Sequence, residues 1–387
     1  MREVLLLCWR DTGHPQGGGS ERYLERVGAE LARRGVSVTL RTAAYPGAPR
    51  EEFRDGLRIS RGGGRFTVYP RALAAMALGR AGVGPLRGVR PDAVIDTQNG
   101  IPFFARLATP SPVAVLVHHC HREQWPVAGR LTAKVGWFIE SRLSPAVHRR
   151  DQYLTVSLPS AEDLEALGVD ADRVAVVRNG TDPLPASITA GSQQTRSAAP
   201  RLVVLSRLVP HKQIEDALDV VARLRGAHPG LHLDIVGGGW WEPRLRERAA
   251  ELGVGSDVTF HGHVSEQRKH EILARAWVHV MPSRKEGWGI TVVEAGQHGV
   301  PTVGYTSSRG LTDSIVDGAT GLLVDAGGLA DAVHGLLADP ARRTQLGEKA
   351  RIRAAEFSWA ETGSGVERVL RAAVAGRRVG GLVPPAR

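Results

Sequence analysis

The sequence predicts an α/β protein built from two doubly wound domains, and three observations lead there. Short apolar runs of strand length alternate with longer helical patterns along the whole chain. A stretch rich in Pro, Ser and Ala, 183–200, interrupts that rhythm near the middle, and the alternation restarts beyond it. The 387 residues suffice for two domains that each bury their own core.

Composition narrows the class. Apolar residues make up 42% and charged residues 23%, as in a soluble globular protein. The two cysteines, Cys8 and Cys120, give no disulfide framework and fit a reducing compartment. No segment approaches the roughly 20 apolar residues of a membrane span, and the first apolar run is too short for a signal peptide. The expected location is the cytoplasm, at most peripheral to the inner membrane face. A net charge of +10 favours acidic partners such as nucleotides or phospholipids. There is no zinc-finger spacing, RNP-like aromatic pattern or basic block, so no nucleic-acid partner is expected.

In the first half, Val4 to Trp9 reads as a buried strand, followed by the glycine-rich loop Asp11 to Glu21 and an amphipathic helix through Arg34. Gly35 ends that helix and Val36 to Leu40 starts the next strand, giving a βαβ unit. The loop has neither the G-x-G-x-x-G spacing of a dinucleotide site nor that of a Walker loop. Strands are expected at Ala93 to Asp96 and Val113 to Val117, the second running into His118-His119-Cys120-His121. Neighbours in an extended segment point to opposite faces and no other His/Cys cluster completes a tetrahedral set, so no metal is expected. The spacing next predicts one helix over 129–150, basic and amphipathic, either packed on the sheet or lying on an anionic membrane. Strands at Tyr153 to Ser157 and Val174 to Val177 lead to the turn Asn179-Gly180-Thr181-Asp182.

In the second half, Leu202 to Leu205 is a strand, then Ser206-Arg207-Leu208-Val209-Pro210-His211-Lys212-Gln213 precedes a helix from Ile214 to about Gly226. Arg207 and Lys212 at such a strand-to-helix turn suit a diphosphate, the arginine as a fork and the lysine as a point charge. Further on, an apolar run Ala276 to Met281 leads through Pro282-Ser283 into Lys285-Glu286-Gly287-Trp288-Gly289 and a helical pattern ending near Gly299. Eight residues of continuous helix would separate Glu286 and Glu294 by about 12 Å. Glu286 is therefore placed in the loop and Glu294 in the second helical turn, where each can accept hydrogen bonds from sugar hydroxyls. Gly287 and Gly289 let the backbone come close to a ligand. Two solvated glutamates capping a helix would be the alternative.

Glu286 to Glu294 resembles the Glu-x7-Glu motif of retaining GT-B glycosyltransferases, in particular family 4, the glycosyl transferases group 1. The resemblance spans nearly the whole chain. Arg207 to Gln213 is similar to the family's Arg-Leu-x-x-x-Lys-Gly stretch, departing from it with Gln213 in place of the glycine, and Asn179 to Asp182 is similar to its Asn-Gly-x-Asp turn. The resemblance implies that Arg207 and Lys212 hold the donor diphosphate, that Glu286 and Gly287 meet the transferred sugar, that Glu294 meets the ribose and that the backbone near Val264 lies beside the base. It further implies that the loop with Gly18 and Gly19 lies against the sugar diphosphate, and that His118, or His119 in the alternative register, faces the transferred sugar.

The expected architecture is GT-B: a Rossmann-like acceptor-side domain over 1–182, a linker over 183–200, a Rossmann-like nucleotide-sugar domain over 201–358, and a helix and tail over 359–387 returning to the first domain. The expected activity is retaining transfer from a nucleotide diphosphate sugar to a small-molecule, glycan or lipid acceptor, with no metal or other cofactor. A sugar-nucleotide epimerase and a non-catalytic nucleotide-sugar-binding homologue are the alternatives, and weak contact with an anionic membrane through 129–150 stays open.

Overall fold

The computed structural model describes residues 1–122, 125, 129–190 and 196–384. The chain divides into two compact units, Met1–Gly180 with Ser358–Arg387, and Thr181–Phe357. Residues 123, 124 and 126–128, 191–195 of the expected linker and 385–387 of the expected tail lie outside the described residues.

The first unit opens with β1 (Glu3–Leu7), α1 (Gly19–Arg33) and β2 (Ser37–Thr42). Next come β3 (Glu51–Arg54), β4 (Leu57–Arg61), α2 (Val68–Arg80), β5 (Ala93–Thr97) and β6 (Val113–Val117). After these follow α3 (Arg130–Phe138), α4 (Ser144–Val147), β7 (Gln152–Thr155), α5 (Leu158–Ala166) and β8 (Val174–Val176). All five residues of β5 and of β6 are buried, as strands covered on both faces require. The β3–β4 hairpin is antiparallel and turns through Asp55 and Gly56, both at positive φ (51° and 82°).

The helix expected over 129–150 runs without a gap from Arg130 to Val147 but is not α-helical throughout. A π-helical turn, Ile139–Leu143, separates α3 from α4. Pro145 in the first turn of α4 lacks an N–H, and its ring would clash with the carbonyl four residues back in a continuous α-helix; the wider turn relieves that clash.

The second unit begins with α6 (Ala186–Ala190), a short helix inside the expected linker. Then come β9 (Arg201–Leu205), α7 (Ile214–Leu224), β10 (His232–Val236), α8 (Glu242–Glu251), β11 (Val258–Gly262) and α9 (Glu266–Arg275). β12 (Val278–Met281), α10 (Ile290–Gln297), β13 (Thr302–Tyr305), α11 (Leu311–Ser314), β14 (Gly321–Val324), α12 (Leu329–Ala338) and α13 (Pro340–Ala354) complete it. The end of the expected linker is anchored on this unit, where Arg196 donates to the carbonyls of Ala274 and Ala276, both at 2.9 Å. The six strands run parallel in the order β11-β10-β9-β12-β13-β14. Chain order reverses between β9 and β12, which opens a crevice at the carboxyl ends of those two strands.

The chain then adds α14 (Trp359–Val374) and β15 (Gly381–Leu382) to the first unit. α14 lies against α1 so closely that a Cβ at Gly363 would fall 2.3 Å from the Glu30 Cβ. The sheet of this unit reads β15-β8-β7-β6-β5-β1-β2-β4-β3, with its reversal between β1 and β5. Among the described residues no helix is long and apolar enough to cross a membrane.

Candidate functional site

The loops that follow β9 and β12 carry four of the residues singled out in the sequence, and they meet at the reversal point of the second unit. The loop after β9 is shaped by the strand beside it. A Cβ at Gly237 would sit 1.9 Å from the Ser206 carbonyl oxygen and one at Gly239 2.1 Å from that of Leu208, so only glycine fits at either position. The Leu208 N–H donates to Gly238 at 3.0 Å, and the Trp241 N–H to Leu208 at 3.2 Å. This buttress leaves Arg207 exposed, and its side chain has no hydrogen-bond or ion-pair partner among the described residues.

A 3₁₀ turn, Pro210–Lys212, brings the chain to Gln213, which caps α7 at φ 47° and ψ 42°. This left-handed conformation is the one glycine adopts without strain. The glutamine at this position bears a conformational cost that glycine would not. The Arg284 N–H donates to the His211 carbonyl at 2.9 Å and ties this turn to the loop after β12.

Across that tie the Lys212 ammonium pairs with Glu286 Oε1, the two side chains being 13% and 11% exposed. Glu286 sits in the loop, where its N–H donates to Ser308 at 3.3 Å. A Cβ at Gly310 would lie 2.3 Å from the Glu286 carbonyl oxygen, so the backbone around Glu286 depends on that glycine. Trp288 is buried against Phe357, ring centroids 4.9 Å apart, and its indole N–H donates to Asp313 Oδ2 at 3.1 Å. Gly289 at φ 97° starts α10.

Glu294 lies in the second turn of α10, buried, and its Oε1 accepts from Lys269 Nζ at 2.7 Å. Lys269 also donates to Glu266 at 2.7 Å. Both glutamates of the Glu-x7-Glu stretch are thus held by lysines from other elements through one carboxylate oxygen each. Val264, half-buried beyond β11, packs against a small core that includes Val203, Val236 and Ile272.

Gly18, Gly19 and His118 belong to the first unit. Gly18 is extended (φ −148°) and its N–H donates to Glu21 Oε2 at 2.9 Å. Gly19 opens α1, and a Cβ there would meet nothing within 4 Å. Neither glycine is demanded by the backbone; open space lies in front of Gly19. His118 follows β6 directly and is buried edge-on to the Tyr23 ring at 5.1 Å. Burial, and behind it the neighbouring His121, hold its pKa down to about 4, and its Nε2 has no hydrogen-bond partner among the described residues. It is a neutral imidazole with an unused ring nitrogen. His119 instead lies tilted against His121, ring centroids 4.4 Å apart, and His121 and the Trp125 indole both hydrogen-bond Glu140.

Three parts of the site were not singled out from sequence. The Gly237-Gly238-Gly239 run that shapes the Arg207 loop was visible as a glycine cluster after a strand. Lys269 was detectable only as an i,i+3 partner of Glu266. Gly310, far along the chain from Glu286, carried no local signal.

Known proteins resemble this chain in sequence and in fold. The family model for glycosyl transferases group 1 matches residues 190–353, and that for glycosyltransferase family 4 matches residues 17–183. A GDP-mannose-dependent alpha-(1-6)-phosphatidylinositol monomannoside mannosyltransferase of Mycolicibacterium smegmatis is 30% identical over 92% of this chain and 95% of its own length. A glycogen synthase of Mycobacterium tuberculosis is 28% identical over 97% of this chain and 96% of its own. Among solved structures, a sucrose-phosphate synthase from Thermosynechococcus elongatus superposes with a TM-score of 0.81 at 21% identity, covering 97% of this chain and 100% of that one. Anabaena HepE, solved in complex with UDP and glucose, superposes with a TM-score of 0.71 at 18% identity over 96% of this chain and 100% of its own. The chain belongs to glycosyltransferase family 4 and has the GT-B fold.

Proposed function

We propose that this glycosyltransferase moves a sugar from a nucleotide diphosphate sugar to an acceptor with retention of configuration and without a metal ion. In this reading Thr181–Phe357 takes the nucleotide sugar and Met1–Gly180 the acceptor. The observation that carries it is the Lys212–Glu286 pair at the reversal point of the second sheet. It sets a cation suited to phosphate beside a carboxylate suited to sugar hydroxyls, at the place where open α/β sheets bind ligands.

Arg207, exposed and unpaired among the described residues, takes the diphosphate in a bidentate grip, and Lys212 joins it when the donor enters. Together with the N–H groups at the start of α10 they offset the charge that develops on the leaving diphosphate. Glu286 and Gly287 receive the transferred sugar. Glu294 accepts from the ribose through the oxygen that Lys269 leaves open, and the backbone at Val264 borders the base. Gly18 and Gly19 leave room for the sugar diphosphate at the start of α1, and neutral His118 donates or accepts at a sugar hydroxyl. The acceptor hydroxyl attacks the anomeric carbon on the face from which the phosphate departs. As the bond from that carbon to the phosphate oxygen breaks, a donor phosphate oxygen takes the hydroxyl proton. Exposed Leu131, Val135 and Phe138 beside Lys134 on α3 support weak contact with an anionic bilayer.

The test is slow hydrolysis of UDP-glucose, GDP-mannose and ADP-glucose in EDTA, with the first-formed free sugar read by NMR. The expected sugar keeps the donor's anomeric configuration. An inverted sugar, or hydrolysis abolished by EDTA, contradicts the proposal, and interconversion of nucleotide sugars identifies an epimerase.

A further inference from the structure

Arg41 is a buried cation that no carboxylate pairs with among the described residues, although the charge of Glu51 reaches it. It lies near the carboxyl end of β2, 4% exposed, and among the described residues its guanidinium makes a single hydrogen bond, Nη1 to Ser60 Oγ at 2.9 Å. Its Nε has no partner among the described residues, and no carboxylate pairs with it there. Arg61, equally buried on the neighbouring β4, shows the ordinary solution, with Nε on Asp11 at 2.7 Å and Nη2 on Glu52 at 2.6 Å. Burying a charge is costly unless something compensates it, so an unpaired buried arginine points to a missing anion.

The surroundings raise the positive potential further. The guanidinium lies over Gly62, where a Cβ would fall 2.4 Å from Nη2. The next residue, Gly63, packs on the start of α2, its Cβ position 2.7 Å from the Val68 nitrogen. The 13-residue α2 has no acidic residue in its first turn and no side-chain cap, because the Thr67 hydroxyl accepts from the Gly64 N–H instead. In that first turn the Val68 N–H is bonded to the Gly64 carbonyl at 3.0 Å and the Arg71 N–H to that of Thr67 at 3.2 Å, and Pro70 has none, so what the helix adds is the positive end of its dipole. Arg71, in that first turn, and Arg65, stacked over Phe66, are exposed and have no carboxylate partner among the described residues. Burial, and after it the charge of Arg71, hold the Arg41 pKa below the usual arginine value.

We propose that Arg41, Arg65 and Arg71, near the positive end of α2, bind an oxyanion, a phosphate group carried by the acceptor. Guanidinium forks match the oxygens of a phosphate, whose charge suits several cations better than a carboxylate would. Tyr69 of the same turn packs on Phe103, ring centroids 4.7 Å apart, in the loop after β5 at the first unit's own reversal point. The site thus borders the crevice of the unit read as the acceptor side, and its assignment to the acceptor rests on that reading.

The experiment is thermal stabilisation of the full chain by inorganic phosphate, with sodium chloride at matched ionic strength as the blank. Wild type, Arg71→Ala, Arg41→Gln and the double variant Arg207→Ala with Lys212→Ala are compared. Phosphate is expected to stabilise wild type and the double variant, with its apparent dissociation constant raised roughly tenfold or more in Arg71→Ala, the scale of one charge-assisted hydrogen bond. Arg71 is exposed, so that variant decides the matter even where Arg41→Gln fails to fold. Stabilisation lost in the double variant, or undiminished in Arg71→Ala, overturns the site. Nucleoside diphosphates supply the separate control for the donor reading: they should stabilise Arg71→Ala like wild type and leave the double variant unshifted, whatever phosphate does. Stabilisation by glycerol 3-phosphate without binding to phosphatidylglycerol vesicles assigns a soluble phosphorylated acceptor, and Arg71-dependent binding to those vesicles assigns a lipid headgroup.

Discussion

Gln213 gives a direct way to test whether the phosphate-side turn is held in a conformation made for glycine. The residue sits at φ 47° and ψ 42°. A left-handed conformation costs a residue with a Cβ roughly 1–2 kcal/mol, while glycine loses about 0.4–1 kcal/mol through the greater freedom of its unfolded chain. No hydrogen bond of the Gln213 side chain is recorded among the described residues, so truncation forfeits none. Gln213→Gly should therefore stabilise the protein by about 0.5–1 kcal/mol, a rise of about 1–4 °C for a unit of this size. Gln213→Ala keeps the Cβ and should give no gain. Thermal melts followed by circular dichroism, with urea midpoints as a check, measure both. A Gln213→Gly variant no more stable than wild type, or an alanine variant equally stabilised, would refute the reasoning.

Other consequences are as concrete. Glu286→Gln releases Lys212 from its pair, so nucleoside diphosphate affinity measured by calorimetry should rise several-fold while donor turnover falls by about a hundredfold; weaker nucleotide binding would contradict the pairing. Gly310→Ala would place a Cβ 2.3 Å from the Glu286 carbonyl oxygen, so a folded variant should lose roughly tenfold or more in turnover, and wild-type rates would show that Glu286 does not depend on that contact. His118 is held at about 4 against an unfolded value near 6.5, so the unfolded chain binds its proton first as pH falls. Stability contributed there is present above about pH 6.5 and is lost down to about pH 4, at up to about 1.4 kcal/mol per pH unit. Urea midpoints across that range should fall less steeply in His118→Gln, and an unchanged slope would mean that His118 is protonated in the folded protein.

Much of this was legible in the sequence, for reasons that differ between elements. The parallel strands β5 and β6 are buried on both faces, and β6 appears as an unbroken apolar run while β5 opens on Ala93-Val94-Ile95. The Glu-x7-Glu stretch placed Glu286 in a loop and Glu294 in a second turn because the helix rise alone forbids a compact site within continuous helix. The β3–β4 hairpin was missed although Asp55-Gly56 is the residue pair that a two-residue hairpin turn prefers. The π turn before α4 was missed because amphipathic spacing continues through it, while Pro145 was its only local trace. The partners of the two glutamates lay beyond local pattern. Lys212 is 74 residues from Glu286 and Lys269 is 25 from Glu294, contacts that only the parallel topology creates.

The central assignment, a nucleotide diphosphate held by Arg207 and Lys212, is tested most directly by thermal stabilisation with UDP, GDP, ADP and TDP, each without metal. A ligand at a hundred times its dissociation constant adds about 2.7 kcal/mol. The expected result is a selective shift by one nucleotide, lost in Arg207→Ala and in Lys212→Ala. No shift with any of the four in a folded sample, or a shift that survives both substitutions, would contradict the assignment.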